Sequence, residues 1–147
     1  MSERKATAEW KGGLKDGKGK IAVGSGLFEG PFSFSTRFED EPGTNPEELL
    51  GASLAGCYAM ALNAALEKSG TPASSVRAEA GVFLGKDDAG FKINRIELTT
   101  IADVPGLSAE KFDQVAEEVK KTCPISKALA ATEIKLKASL GKSSATA

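Results

Sequence analysis

The sequence predicts an α+β fold in which antiparallel sheets pack around one long, buried central helix. Two observations carry that expectation. Segments that alternate apolar and polar residues occupy both ends of the chain. Between them, Leu49 to Leu66 contains no charged residue, and a helix that is apolar all round is buried on every side. A chain of 147 residues is expected to form one domain, residues 1–147, with a core of its own. Its ordered part is expected over about residues 5–140, with the small-residue stretch 141–147 as a flexible tail.

The elements follow in order. Thr7 to Lys11 alternates, and Gly12-Gly13 and Asp16-Gly17 supply turns. Lys18 to Val23 alternates again. Phe32 to Phe38 reads as a third strand, with Phe32, Phe34, Thr36 and Phe38 on one face and Ser33, Ser35 and Arg37 on the other. Pro42-Gly43 breaks that pattern. Asn45 then suits an N-cap, Pro46 the first helical position, and Glu48 the third position of a capping box. This helix is predicted to run to about Lys68, with Gly70 closing it. At roughly 35 Å it is too long for a lone small domain to wrap. Small residues at Gly51, Ala52, Ala55, Gly56 and Ala59 allow close approach of a sheet and of a second subunit.

Val76 to Leu84 and Phe91 to Ala102 alternate around a Lys86–Gly90 turn, which predicts an antiparallel hairpin. Ser108 caps a second helix with an apolar stripe of Phe112, Val115, Ala116 and Val119. Cys123-Pro124 ends it. A short helical piece is expected from Ser126 to about Ala131, and Glu133 to Leu140 alternates as the final strand.

Composition excludes several function classes. The net charge is −1, which leaves no basic footprint for nucleic acid. Met1 to Lys20 is polar and has no apolar signal core, so a cytoplasmic location is expected. Leu49 to Leu66 is long enough to be tested as a membrane span. Its dilution by Gly51, Ser53, Gly56 and Asn63, and the strands around it, favour a soluble core and no membrane. The chain has no histidine and two cysteines, Cys57 and Cys123. That removes Ser-His and Cys-His relays and imidazole metal ligands, and it makes a poor zinc or iron site. No CxxC occurs, so a zinc ribbon and a thioredoxin motif are both excluded. The strongest nucleophiles left are the two thiols, which act only as thiolates.

The residues by themselves leave these thiols open to two readings. Cys57 within an apolar helix suits a small core residue as well as a reactive thiol. Cys123 ends a helix before proline, where Lys120 and Lys121 would favour its thiolate. Arg37 reads equally as an exposed strand charge, and Glu47 as an acid favoured in a first helical turn.

Thr36-Arg-Phe-Glu39, the block Gly43-Thr-Asn-Pro-Glu-Glu-Leu-Leu-Gly-Ala-Ser-Leu-Ala-Gly-Cys57-Tyr-Ala-Met-Ala-Leu62, and the later Cys123-Pro-Ile-Ser-Lys-Ala-Leu129 resemble the OsmC/Ohr family. These are the osmotically inducible protein C and organic hydroperoxide resistance proteins, and the likeness is to the OsmC branch. It covers Thr7 to Leu140. It implies the OsmC-like fold, an intertwined homodimer, and a cysteine-based peroxidase that reduces organic hydroperoxides. By this resemblance Cys57 is the peroxidatic and Cys123 the resolving cysteine. Arg37 and Glu47 fall where the OsmC branch carries its active-site arginine and glutamate; the Ohr branch takes its arginine from further upstream. No bound cofactor is implied, only an external dithiol reductant.

That chemistry is physically sound. Arg37 can lower the Cys57 thiol and offer donors to peroxide oxygens, with Glu47 orienting it through a bidentate pair. Phe32, Phe34, Phe38 or Tyr58 are candidates for an apolar entry. Glu47 and Cys57 are about 15 Å apart along one helix, so they cannot touch directly. Either Arg37 bridges the gap or Glu47 acts across a dimer. The same thiols would also serve a redox sensor or binding module without turnover. In a purely structural protein, Cys57→Ser would affect stability alone.

Overall fold

The computed structural model describes residues 1–142, in two compact units, Met1–Leu49 and the remainder from Leu50. In the first unit, strands β1 (Ala6–Lys11), β2 (Lys18–Val23) and β3 (Glu29–Phe32) form an antiparallel sheet in that order. The expected turn glycines join β1 to β2: Gly12 takes φ +94°, which glycine adopts without steric cost, and the Gly17 N–H bonds the Gly13 carbonyl at 2.8 Å. Gly19 lies opposite both Trp10 and Phe32 in the ladder. A side chain there would collide with the Phe32 ring. The bare glycine lets the Trp10 and Phe32 rings meet with centroids 5.3 Å apart.

The expected strand over Phe32–Phe38 is not formed. Strand β3 ends at Phe32, and Phe34–Phe38 is a short helix, α1. A reciprocal capping box decides it. Ser33 Oγ accepts from the Thr36 N–H at 3.2 Å, and Thr36 Oγ1 accepts from the Ser33 N–H at 2.9 Å. These bonds satisfy donors that a strand would need a neighbour to satisfy. The alternation of apolar residues is therefore incidental: Phe34 and Phe38, four apart, share a helix face instead, with ring centroids at 4.9 Å.

Helix α2 spans Pro46–Lys68. Asn45 Oδ1 accepts from the Glu48 N–H at 2.8 Å, as an N-cap should. The helix closes as expected, with Gly70 at φ +80° and the Thr71 N–H returning to the Leu66 carbonyl at 3.0 Å.

The second unit holds β4 (Ser75–Asp87) and β5 (Gly90–Asp103) as an antiparallel hairpin, with β6 (Glu133–Leu140) on the far side of β5. Strand β6 joins β5 in parallel, Leu136 opposite Leu98. A parallel partner needs a long crossover, and helices α3 (Ala109–Thr122) and α4 (Pro124–Ala128) provide it. Helix α4 starts at Pro124 and ends at Ala128, earlier than expected at both ends. Cys123 is non-helical, with ψ 127°, and proline fits the first helical position.

The core of this unit lies between the sheet, α2 and α3. Leu54, Tyr58, Leu62 and Leu66 recur along one face of α2 and are fully buried with Ile96, Leu98 and Phe112. At Gly51 the α2 backbone comes so near β4 that an added Cβ would sit 3.0 Å from the Ala80 carbonyl oxygen. The opposite α2 face, with Ala52, Ser53, Gly56, Met60 and Asn63, is exposed. The helix is long and apolar enough to cross a membrane by length and composition, with 28% of its most apolar window buried within the chain. Of the expected tail 141–147, residues 143–147 lie outside those described, while the Gly141 N–H bonds the Ala102 carbonyl at 2.9 Å.

Candidate active site: a thiol pair and an arginine–glutamate pair

Cys57 is on the face of α2 bordering its buried stripe and is half-buried; Cys123, at the junction of α3 and α4, is 1% exposed. The two are separated by 66 positions, yet their Sγ atoms are 2.9 Å apart and hydrogen-bonded, with both thiols free. Helix–helix packing produces this. Tyr58, next to Cys57, is fully buried and donates its hydroxyl to the Ala116 carbonyl of α3 at 3.0 Å. Tyr58 is thus a core tether and lines no entry.

Burial pushes the Cys57 thiol up, the bond with Cys123 adds to that, and the Ile125 backbone opposes it. Burial would also raise Cys123. There the Cys57 thiol, the Ser126 backbone and hydroxyl, and the Ile125 backbone outweigh it, and the thiol lies below its ordinary 9.0. Cys123 stands at the N-cap of α4, where backbone N–H groups point outward unpaired and favour an anion. Within this unit the thiolate is therefore favoured on Cys123, while the groups around Cys57 act in the direction opposite to that expected from Arg37. Lys120, expected to assist Cys123, is paired with Glu117 at 3.0 Å, and Lys121 is exposed.

In the first unit, Arg37 on α1 and Glu47 in the first turn of α2 form a bidentate pair. Arg37 Nε donates to both Glu47 oxygens at 3.2 and 3.1 Å, and Nη2 donates to Oε1 at 2.7 Å. The Glu47 side chain is 10% exposed and that of Arg37 36%. Asn45 organises both elements: while Oδ1 caps α2, Nδ2 donates to the Thr36 carbonyl of α1 at 3.2 Å. Beside the guanidinium is an apolar cleft of about 220 Å³ walled by Trp10, Leu14, Phe32, Phe34 and Phe38. Sequence reasoning missed the double role of Asn45 and the Ser33–Thr36 box; the Ser-x-x-Thr spacing signalled the latter. It placed Ser126 only at the start of a short helix and gave it no role at the site.

Comparison with known proteins bears on what two such pairs are for. The model of the OsmC-like protein family matches residues 38–139. The chain is 44% identical over 129 residues to the peroxiredoxin OsmC of Escherichia coli (strain K12), covering 87% of this chain and 90% of that protein. The chain belongs to the OsmC-like protein family. The family match spans Glu47, Cys57 and Cys123, and Arg37 stands one residue before it. The organic hydroperoxide resistance protein OhrB of Bacillus subtilis (strain 168) is 32% identical over 91 residues, 61% of this chain and 65% of OhrB. Among solved structures, an organic hydroperoxide resistance protein from Elizabethkingia anophelis, with thiocyanate bound, superposes with a TM-score of 0.77 at 25% identity. It covers 96% of this chain and 98% of that one. The OsmC-like fold expected from the sequence is thus the fold observed.

Among the described residues no cluster of three or more His, Cys, Asp or Glu could hold a metal ion. The chemistry available to this OsmC-like chain is that of two thiols in bonding reach and a guanidinium fixed by a carboxylate.

Proposed function

We propose that the protein is a thiol-dependent peroxidase that reduces organic hydroperoxides to alcohols, with Cys57 as the peroxidatic and Cys123 as the resolving cysteine. The observation that carries this reading is the 2.9 Å approach of a half-buried thiol to a fully buried one. Peroxide reaches the more accessible sulfur, and the other waits behind it. The relatives named above, a peroxiredoxin and organic hydroperoxide resistance proteins, support it.

The pair begins with one proton between its sulfurs. The proton moves to Cys123 as the Cys57 sulfur attacks the terminal peroxide oxygen. The O–O bond breaks, Cys57 becomes a sulfenic acid, and the departing alkoxide takes the proton from Cys123, which gives the alcohol and leaves Cys123 as the thiolate. Arg37, oriented by Glu47, stabilises the thiolate and the negative charge that develops on the leaving oxygen. Cys123, as thiolate, then attacks the Cys57 sulfur. The S–O bond breaks, hydroxide leaves to become water, and a Cys57–Cys123 disulfide remains. An external dithiol reduces that disulfide by exchange, with no bound cofactor. The aromatic cleft beside Arg37 favours alkyl and aryl peroxides over hydrogen peroxide, since apolar area is worth burying there. The protein works in the cytoplasm, away from membrane and nucleic acid, as an intertwined dimer with the Arg37–Glu47 pair of each subunit serving the thiols of the other.

The test is turnover of cumene hydroperoxide against hydrogen peroxide with a dithiol, for wild type, Cys57→Ser and Cys123→Ser. Wild type should prefer the organic peroxide. Cys57→Ser should be inactive, and Cys123→Ser should be oxidised once and then stall or over-oxidise. A wild type oxidised once that no dithiol returns to the cycle would make the protein a sensor. Full activity in Cys57→Ser would overturn the assignment.

A further inference from the structure

One buried polar group in the second unit, beside the thiol pair, makes no hydrogen bond with the thiols in their reduced form. Ser126 is 5% exposed, and its Oγ has no hydrogen-bond partner among the described residues. A buried hydroxyl left unsatisfied is costly, and a serine kept there calls for an explanation. Ser126 is the third residue of α4, and Cys123 is the N-cap of that helix. The Lys127 N–H bonds the Cys123 carbonyl at 3.0 Å and closes the turn between them. At a helix start the third side chain reaches back toward the N-cap residue. Ser126 thus follows Cys123 by one helical turn, and its side chain is among the groups that act on the sulfur lying 2.9 Å from Cys57.

We infer that Ser126 is a positioning residue for disulfide formation: its hydroxyl donates to the Cys123 thiolate and holds that sulfur ready to attack oxidised Cys57. The inference rests on the peroxidase reading and deepens it. A neutral thiol is a poor acceptor, so the hydroxyl gains little while Cys123 is protonated. An anionic sulfur is a strong acceptor, and the bond it takes from the hydroxyl is charge-assisted. The unsatisfied donor is thus relieved when Cys123 is a thiolate, the form that performs the next step. In that step Cys123 S⁻ forms a bond to the Cys57 sulfur, the S–OH bond breaks, and hydroxide departs to be protonated to water; Cys57 sulfenic acid is the oxidant and Cys123 is oxidised with it.

The other titratable groups around this site are Cys57, which acts on Cys123, and Tyr58 on α2, which is acted on by both Cys123 and Glu117 of α3. Glu117 is paired with Lys120 at 3.0 Å. The Ser126 contribution to Cys123 has the same sign as the backbone N–H contribution from α4.

The experiment compares reduced wild type, Ser126→Ala and Ser126→Thr by thiolate ultraviolet absorbance against pH, together with the rate of disulfide formation after a single cumene hydroperoxide oxidation. Tyr58 is the sole tyrosine and ionises far above this range, so it does not obscure the signal. In Ser126→Ala the lower of the two midpoints should rise by about one pH unit, and disulfide formation should slow about tenfold below that midpoint. At higher pH the two rates should converge. Ser126→Thr, which keeps the hydroxyl, should restore both. An unchanged midpoint, an equal slowing at every pH, or a stably folded Ser126→Thr that behaves as alanine would each overturn the inference. The titration uses no peroxide. Failure of the peroxidase reading would show as a wild type without turnover, and failure of this inference as an unmoved midpoint in an active enzyme.

Discussion

The Arg37–Glu47 pair joins two side chains of unequal exposure, and that difference sets what each substitution should do. Glu47 is 10% exposed and takes three guanidinium contacts. Glu47→Gln keeps the shape but loses the charge that aims Arg37, and kcat/KM for cumene hydroperoxide should fall about tenfold through misorientation. Arg37→Ala removes the donors themselves and should cost about 10²-fold in kcat/KM, and it should lower Tm as well because the buried Glu47 carboxylate loses its partner. Equal losses in the two variants would show that Glu47 does more than orient. Tyr58 gives a pH prediction of definite sign. Burial holds its pKa well above the ordinary 10.0, with the charges of Glu117 and Cys123 adding to the effect. The folded protein therefore resists ionising it. The stability Tyr58 confers is complete below pH 10 and is lost as pH rises beyond that, because only the unfolded chain ionises freely. Tyrosinate absorbance should appear together with unfolding on alkaline titration. Tyr58→Phe should flatten this part of the pH dependence, at a cost of about 1 kcal/mol near neutrality for the lost bond to Ala116.

At the scale of elements, α2 is held at its start by one side chain and along its length by one close approach. Asn45 caps α2 and tethers α1. Asn45→Ala should cost about 1 kcal/mol of stability for the cap, and it should lower peroxidase activity as well, because Arg37 and Glu47 sit on the two elements Asn45 joins. A stability loss with unaltered activity would mean the tether is not needed. Gly51→Ala places a methyl 3.0 Å from the Ala80 carbonyl oxygen and should cost about 1–3 kcal/mol as overpacking, read from chemical denaturation. Gly56→Ala on the open face meets no atom within 4 Å and, by removing a helix-interior glycine, should stabilise the isolated chain by about 0.5–1 kcal/mol.

For the whole molecule, the open face of α2 is the main issue. A helix with mean apolarity high enough to span a membrane exposes Ala52, Gly56 and Met60, Met60 at 77%, and such a face is normally covered. A second copy covers it in the dimer proposed above. Sedimentation should give a dimer, and Met60→Glu should weaken it. Mixed dimers of Cys57→Ser with Arg37→Ala separate the two ways of building a site. If Arg37 serves the partner's thiol, one of the two sites in each mixed dimer is intact, and about half the activity of the wild-type dimer should return. If Arg37 serves its own chain, every site carries a lesion and none returns.

Much of this protein follows from local rules that the sequence states by itself. The turn at Gly12–Gly17, the Asn45 cap, the Gly70 stop, the β4–β5 hairpin and the Ser108 cap each depend on a few neighbouring residues, and each was legible from them. The absence of histidine and the presence of two cysteines restricted the chemistry to thiols for the same reason. Where two local signals competed, reading by period failed: over Phe32–Phe38 the alternation argued for a strand, and the Ser33–Thr36 hydrogen bonds favoured a helix. What the tertiary structure decided is pairwise and long-range. The parallel seat of β6, the 2.9 Å meeting of Cys57 and Cys123, and the burial of Ser126 without a partner arise from packing α2, α3 and α4 around one core. No spacing along the chain encodes them, because they depend on distances between residues far apart in sequence, which only the folded core sets.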